Sequence, residues 1–159
     1  MAELSGALTN PGRVAIVVSR YHERITARLL AGARECCRQA GLEDDAVDVL
    51  WVPGAFELGV ATAAAAATGR YGALVALGVV VRGETPHFDY VAGEATRSLG
   101  RVAVDHRRPV GFGLLTVDTM AQAEARAGGD QGNKGFEAAD AALRTADLLR
   151  RLEAADAQG

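Results

Sequence analysis

Four short runs of apolar, β-branched residues constrain the fold of this 159-residue chain more than any other feature. Each run is continuously apolar, as is typical of strands that are buried on both faces of a sheet. Helical patterns separate the runs and follow the last of them. Strand and helix therefore alternate, which predicts a four-stranded parallel sheet with helices on both faces. The predicted strands are 13–19, 46–52, 72–81 and 109–117.

The intervals between the strands carry apolar residues at helical spacing. Residues 1–12 have neither a helical nor a strand pattern. We therefore predict an N-terminal segment, 1–12, followed by one domain, 13–159. Hydrophobic residues make up 49% of the chain, enough to bury the core of a domain of this size. The predicted helices are 23–40, 56–68, 86–104, 119–126 and 135–155.

The composition argues against several classes of function. The net charge is −3 and no basic stripe is present, which argues against a nucleic-acid partner. The longest apolar run, Val60–Thr68, is too short to span a bilayer, and the N-terminus lacks the features of a secretory signal, so we predict a cytoplasmic protein. Cys36 and Cys37 are adjacent on an apolar stripe without metal-ligand spacing. They are predicted to be small buried hydrophobic residues, with no metal site.

Ligands of parallel sheets bind beyond the carboxyl ends of the strands, which selects the loops after the four runs. In the third loop, Thr85 is a predicted N-cap and Pro86 suits the first helical turn. The amides of His87 and Phe88 then lie at the positive end of a helix, where phosphate binds readily. The same end disfavours a protonated imidazole, so we expect His87 to accept a proton. A capped helix with a surface histidine is the competing interpretation.

The other loops carry less specific candidates. Glu57 either begins a helix or grips a polyhydroxylated ligand. Tyr21 has a ring that could stack on a flat heterocycle, whereas His22 is predicted to be a solvated loop residue. Arg126 could hold a phosphate bidentately, while the surrounding stretch 124–140 could equally be a flexible helix connection.

The motifs "VPGAFEL", "ALGVVVRGETPHFDYV", "PVGFGLLTVDTMAQAEARAG" and "GNKG" occur in the order and spacing of the lumazine synthase family, which the chain resembles over residues 13–150. The resemblance implies a flavodoxin-like three-layer α/β/α sandwich and a transferase that needs no cofactor or metal. The implied reaction condenses 5-amino-6-(D-ribitylamino)uracil with L-3,4-dihydroxy-2-butanone 4-phosphate to 6,7-dimethyl-8-ribityllumazine, releasing phosphate and water. This reaction is the penultimate step of riboflavin biosynthesis.

The resemblance also implies roles for individual residues. His87 matches the proton-transfer histidine. Glu84 and Thr85 match the phosphate-binding turn, and Arg126 matches the arginine that pairs with the phosphate. The other implied substrate-binding positions are Tyr21 on the pyrimidine, Ala55, Phe56 and Glu57 on the ribityl chain, Val79, Val80 and Val81 at the uracil edge, Phe112 from a neighbouring subunit, and Lys134 close to the site.

The chain departs from the family pattern at three positions. Tyr21 stands where the family usually has Phe or Trp, and its hydroxyl needs a partner or water. Gly59 stands where proline is common, which should loosen the start of that helix. Glu84 brings a carboxylate to a phosphate turn, so we expect its side chain to point away.

The resemblance further implies a homo-oligomer. Family members form pentamers with active sites between subunits, and in some the pentamers build a 60-subunit icosahedral shell. The short "RAGGDQGNKG" connection resembles that of shell-forming members, and the N-terminal segment would pair with a neighbour's sheet. Riboflavin synthase is a candidate partner.

Three alternatives stay open at the level of sequence. An archaeal-type riboflavin synthase has the same ancestry but no phosphate-bearing substrate. A non-catalytic lumazine- or flavin-binding homologue should have lost His87 or Arg126, and both are present. A flavodoxin-like FMN protein should carry a Ser/Thr- and Gly-rich loop after its first strand, which 19–26 does not match.

Overall fold

The computed structural model describes residues 1–158, and its centre is a four-stranded parallel sheet. The strand order is β2-β1-β3-β4, which confirms the predicted parallel sheet of a flavodoxin-like α/β fold. Every strand ends at its predicted residue and begins one residue later than predicted. The strands are β1 (Val14–Ser19), β2 (Val47–Val52), β3 (Ala73–Val81) and β4 (Val110–Val117).

All five predicted helices are present, with ends that differ by a few residues from the prediction. The second helix differs most at its start, because a 3₁₀ turn at Ala55–Glu57 precedes it. A further 3₁₀ turn at Asp44–Ala46, which the sequence pattern did not predict, leads into β2. The helices are α1 (Glu23–Gln39), α2 (Leu58–Ala67), α3 (His87–His106), α4 (Met120–Arg126) and α5 (Lys134–Gln158).

The central strand β1 shows why its apolar run is unbroken. All its residues are buried, because helices cover both faces of the sheet. Val14, Ile16 and Val18 belong to the core that α1 and α5 cover. Ala15 and Val17 point to the opposite face, where α2 and α3 pack. Successive side chains of a strand point to opposite faces, so both sets must be apolar.

The stretch between α4 and α5 is ordered by a short antiparallel hairpin, β5 (Ala127–Gly129) and β6 (Gly132–Asn133). The Asn133 side chain accepts hydrogen bonds from the amides of Gly135 and Phe136, at 2.9 and 3.0 Å, at the start of α5. It also donates to the carbonyl of Arg28 in α1, at 3.0 Å. The connection therefore has a defined hairpin structure, and the phosphate-binding role of Arg126 stays a prediction.

The N-terminal segment lies against α5 of the same chain and forms neither helix nor strand. Its anchor is the buried Asp147, whose carboxylate accepts from the Ala7 amide at 2.9 Å and from the Thr9 hydroxyl at 3.2 Å. The Ala7 hydrogen bond is the main reason why the pKa of Asp147 is lowered. Nearby, Arg151 donates to the Ser5 carbonyl at 2.6 Å. The pairing with a neighbouring subunit's sheet stays a prediction.

Candidate active site

A cavity of about 820 Å³ opens beyond the carboxyl ends of β1, β2 and β3. This is the edge of a parallel sheet at which ligands bind, and the volume suits small molecules. Three loops and the end of β3 form its walls. The lining residues are Tyr21, His22, Gly54, Ala55, Phe56, Glu57, Val79, Val80, Val81, Gly83, Thr85, His87, Phe88, Tyr90 and Val91.

The loop after β1 forms the aromatic wall. Tyr21 lines the cavity and is 66% exposed as a residue. Its ring meets the His22 ring edge-to-face, with 4.5 Å between the ring centroids. Backbone hydrogen bonds hold this loop to the end of β2: the Arg20 amide donates to Val52 at 2.8 Å and the Tyr21 amide to Pro53 at 3.1 Å. An exposed ring on a fixed backbone is suited to stacking on a flat ligand.

The loop after β2 forms the second wall. The Glu57 amide donates to the Gly54 carbonyl at 3.2 Å, which closes the 3₁₀ turn before α2. Ala55 is buried beneath this turn, whereas the Phe56 side chain is exposed at the cavity. Glu57 is half-buried at the cavity wall. A carboxylate in this position can accept hydrogen bonds from ligand hydroxyls.

Gly59 has a packing role that the sequence did not reveal. It is buried in α2, and a Cβ atom at this position would lie 2.1 Å from the Ser98 Oγ of α3. A side chain here would push the two helices apart. The glycine that stands here in place of the family's usual proline therefore lies at a close contact between α2 and α3.

The loop after β3 leads into α3 and forms the third wall. The Thr85 Oγ accepts a hydrogen bond from the His87 amide, at 3.4 Å. The prediction that Thr85 is the N-cap was wrong by one residue, because α3 begins at His87 and Pro86 takes the cap position. His87 itself is exposed and lines the cavity.

Arg82 braces this loop against its surroundings. Its Nε donates to the Asp118 carboxylate at 3.0 Å, in the loop after β4. Its guanidinium lies 4.3 Å from the Phe88 ring centroid and 3.6 Å from the Asp89 carboxylate, both in the first turn of α3. These contacts join two loops and a helix start, so they limit the movement of the turn that carries His87.

Most of the predicted site residues lie together, and four do not line the cavity. Glu84 is exposed beside it. Phe112 is exposed on the edge strand β4, Arg126 is half-buried and donates to a carbonyl of its own helix, and Lys134 pairs with a glutamate in the first turn of α5. The residues brought together are Tyr21, Ala55, Phe56, Glu57, Val79, Val80, Val81, Thr85 and His87.

Comparison with known sequences decides the family. Residues 11–150 match the sequence model of the 6,7-dimethyl-8-ribityllumazine synthase family. The chain belongs to this family. It is also 52% identical over 152 residues to a 6,7-dimethyl-8-ribityllumazine synthase of Gemmatimonas aurantiaca, an alignment that covers 95% of this chain and 93% of the relative. The resemblance is thus confirmed, and the archaeal-type riboflavin synthase is not favoured.

The match to the lumazine synthase family contains every residue that lines the cavity. One of them, His22, was predicted to be a solvated loop residue, and this prediction was wrong because His22 is half-buried in the cavity wall. The available signal was its position directly after Tyr21, at the carboxyl end of a buried strand. The aromatic residues Phe88 and Tyr90 also line the cavity and were not predicted to do so.

The two cysteines of this lumazine synthase family member are packing residues. Burial raises the pKa of Cys36 to about 12 and that of Cys37 to about 11, so both thiols stay protonated near neutral pH. Both are buried, which confirms the prediction of small hydrophobic residues. Within residues 1–158, no group of His, Cys, Asp and Glu side chains could hold a metal ion. Among the helices of these residues, none combines the length and the hydropathy that a membrane span requires.

Proposed function

We propose that this protein is a cytoplasmic transferase that condenses 5-amino-6-(D-ribitylamino)uracil with L-3,4-dihydroxy-2-butanone 4-phosphate. The product is 6,7-dimethyl-8-ribityllumazine, the precursor of the last step of riboflavin biosynthesis. The observation that carries the proposal is the family match over residues 11–150. The matched residues include all those that line the cavity, His87 among them. The chemistry requires an imine to form, phosphate to be eliminated and a ring to close with loss of water.

The ribitylaminouracil binds along the end of β3 in this proposal. The backbone of Val79, Val80 and Val81 reads the uracil edge, since strand ends offer N–H and C=O groups at fixed positions. The exposed Tyr21 ring stacks on the heterocycle, and the half-buried Glu57 accepts from the ribityl hydroxyls. The cavity volume of about 820 Å³ supports simultaneous occupancy by two small substrates.

The butanone phosphate binds at the start of α3, beside Thr85. A 20-residue helix begins at His87, and its positive end attracts the phosphate. Gly83 lies in open space on the cavity wall, so the backbone can approach the ligand. His87 then transfers protons between the reacting atoms. Orientation of two bound substrates lowers the barrier by several kcal/mol, and a placed acid-base group adds roughly 10²–10⁴-fold.

The phosphate also requires a cation, and we propose that a neighbouring subunit supplies it. Arg126 does not line the cavity of its own chain, and neither do Phe112 and Lys134. A homo-oligomer in which these residues face the neighbour's His87 would complete the site. We propose a pentamer, or a 60-subunit shell built from pentamers, with residues 1–12 pairing with an adjacent sheet. Such a shell has an interior that could enclose riboflavin synthase.

The test is to mix the two substrates with the purified protein. Formation of the lumazine is followed by its absorbance and fluorescence, and inorganic phosphate is measured in parallel. We expect one phosphate released for each lumazine formed. Binding of lumazine without turnover would instead favour a non-catalytic carrier, and formation of riboflavin from lumazine would favour a riboflavin synthase.

A further inference from the structure

His22 has a backbone conformation that few residues with a side chain adopt, and that is unusual at the start of a helix. Its φ of 58° and ψ of 50° are those of the left-handed helix, which glycine adopts most readily. Only His22 and Arg107 combine a positive φ with a side chain within residues 1–158. Arg107 ends α3, where a left-handed residue is common. His22 begins α1, where an extended residue is usual.

Local structure explains the backbone of His22 but not its imidazole. The His22 carbonyl accepts from the amides of Ile25 and Thr26, at 2.9 and 3.1 Å, and so starts α1. The residues before it are hydrogen-bonded to the end of β2, so the turn is fixed from both sides. The imidazole makes no capping hydrogen bond. Glycine or asparagine would fit this conformation with less strain, so the side chain needs another explanation.

The position of the imidazole supplies that explanation. It is half-buried in the cavity wall, on the same cavity as Glu57 and His87. It packs against the Tyr21 ring at 4.5 Å between centroids, with 65° between the ring planes. This is an edge-to-face pair, the arrangement that two aromatic rings prefer. Because 66% of the Tyr21 residue is exposed, few other groups restrict its ring. The contact with His22 therefore limits how the Tyr21 ring can tilt.

We propose that His22 is a positioning residue for the heterocyclic substrate: its imidazole fixes the plane of the Tyr21 ring on which the pyrimidine stacks. This inference rests on the proposed function, because it needs a substrate with a flat heterocycle. His22 acts through Tyr21, so it should affect binding of the ribitylaminouracil and leave both the butanone phosphate and the chemical step alone.

Two substitutions, His22→Gly and His22→Asn, remove the ring while keeping a residue that tolerates the left-handed conformation. We expect each to raise KM for the ribitylaminouracil about three- to tenfold, the effect of losing one edge-to-face aromatic pair. KM for the butanone phosphate and kcat should stay within about twofold. Arg107→Gly relieves the same kind of backbone strain away from the cavity and should leave all three constants unchanged.

Equilibrium titration with an unreactive ribitylated uracil separates failure of this inference from failure of the proposed function. The dissociation constant should rise by the same factor in both His22 variants, and this can be measured even if the wild type shows no turnover. An unchanged dissociation constant in both variants would overturn the inference. So would a parallel loss of affinity for both substrates together with a lower melting temperature, because His22 would then be structural.

Discussion

At the scale of single residues, His87 is the group on which the proposed chemistry depends. It is the first residue of α3, it is exposed, and it lines the cavity with Glu57 and Tyr21. The same helix carries a second exposed histidine, His106, in its last turn and away from the cavity. His106 therefore provides a control for His87, because both are exposed histidines on the same helix and only His87 lines the cavity.

We expect His87→Ala to lower kcat by about 10²–10⁴-fold, because general acid-base catalysis contributes that factor. Affinity for an unreactive ribitylated uracil should change less than about threefold, since the stacking and hydroxyl contacts remain. Steady-state kinetics and equilibrium titration measure the two effects. His106→Ala is the control and should match the wild type. Loss of binding in parallel with the rate would show that His87 is a structural residue.

Residue types identified most of the cavity wall, but they did not identify His22. Tyr21, Glu57 and His87 follow strand ends, and strand ends could be located from the apolar runs. Whether a loop side chain faces solvent or a cavity depends on how that loop is held. The loop that carries His22 is held by hydrogen bonds from the two preceding amides to the carbonyls of Val52 and Pro53. These bonds join segments that are distant in sequence, so the sequence pattern did not show which way the His22 side chain faces.

At the scale of elements, the contact between α1 and α5 depends on a residue without a side chain. Gly135 is buried in the first turn of α5, and a Cβ atom there would lie 2.0 Å from the Leu29 carbonyl of α1. Gly100 in α3 is exposed and has open space around its Cα. Both glycines lie in helices. Replacing each with alanine therefore separates the effect of packing on stability from the effect of helix propensity.

We expect Gly135→Ala to lower the free energy of unfolding by about 1–3 kcal/mol, because the added methyl group forces the helices apart. Gly100→Ala should raise it by about 0.5–1 kcal/mol, since alanine is the better helix former. Denaturant titrations of both variants measure the difference. A Gly135→Ala variant as stable as Gly100→Ala would contradict the close contact.

The attachment of the N-terminal segment to α5 depends on the ionisation of Asp147. The lowered pKa means that the folded state favours the carboxylate more than the unfolded state does. The stabilisation is therefore present above the ordinary pKa of 3.8 and is lost as the pH falls through the lower folded-state value. Protonation replaces the charged acceptor of the Ala7 amide with a weaker neutral one, and Arg150 loses the charge with which it pairs.

Hydrogen exchange at the Ala7 amide measures this attachment directly. We expect the protection factor of this amide to fall as the pH is lowered below about 4. In Asp147→Asn the protection should be lower at neutral pH and nearly independent of pH, because a neutral amide oxygen is a weaker acceptor than a carboxylate. Asp140→Asn on the same helix is the control. Equal protection in both variants would contradict the anchoring role of Asp147.

The sequence predicted the elements with strong periodicity and missed the short ones. The buried strands and amphipathic helices carry patterns that repeat over many residues, and their ends were placed to within a few residues. The hairpin of β5 and β6 has no such pattern, because it consists of five residues rich in glycine. It is held by Asn133, which bonds to α1 from more than a hundred positions away in sequence.

At the scale of the whole molecule, our proposal that two neighbouring chains share one site makes a prediction of its own. The cavity contains His87, and Arg126 lies outside it. If the phosphate is bound by the neighbour's Arg126, then His87→Ala and Arg126→Ala damage different halves of the same site. Arg126→Ala alone should weaken binding of the butanone phosphate, because the bidentate charged contact is lost.

Mixing the two impaired variants, at a concentration of the butanone phosphate too low to saturate Arg126→Ala, tests this arrangement. After joint unfolding and reassembly in equal amounts, roughly one site in four should combine an intact His87 with an intact Arg126 from the next subunit. We expect activity to return to about that fraction of the wild-type value. Light scattering reports the mass of the assembly in the same sample. No recovery in a properly assembled mixture would mean that one chain supplies both residues.

The hydrogen bond from Arg151 to the Ser5 carbonyl brings the beginning of the chain to the last turns of its final helix. Both residues are exposed, so reporter groups attached beside them would sit close enough for energy transfer.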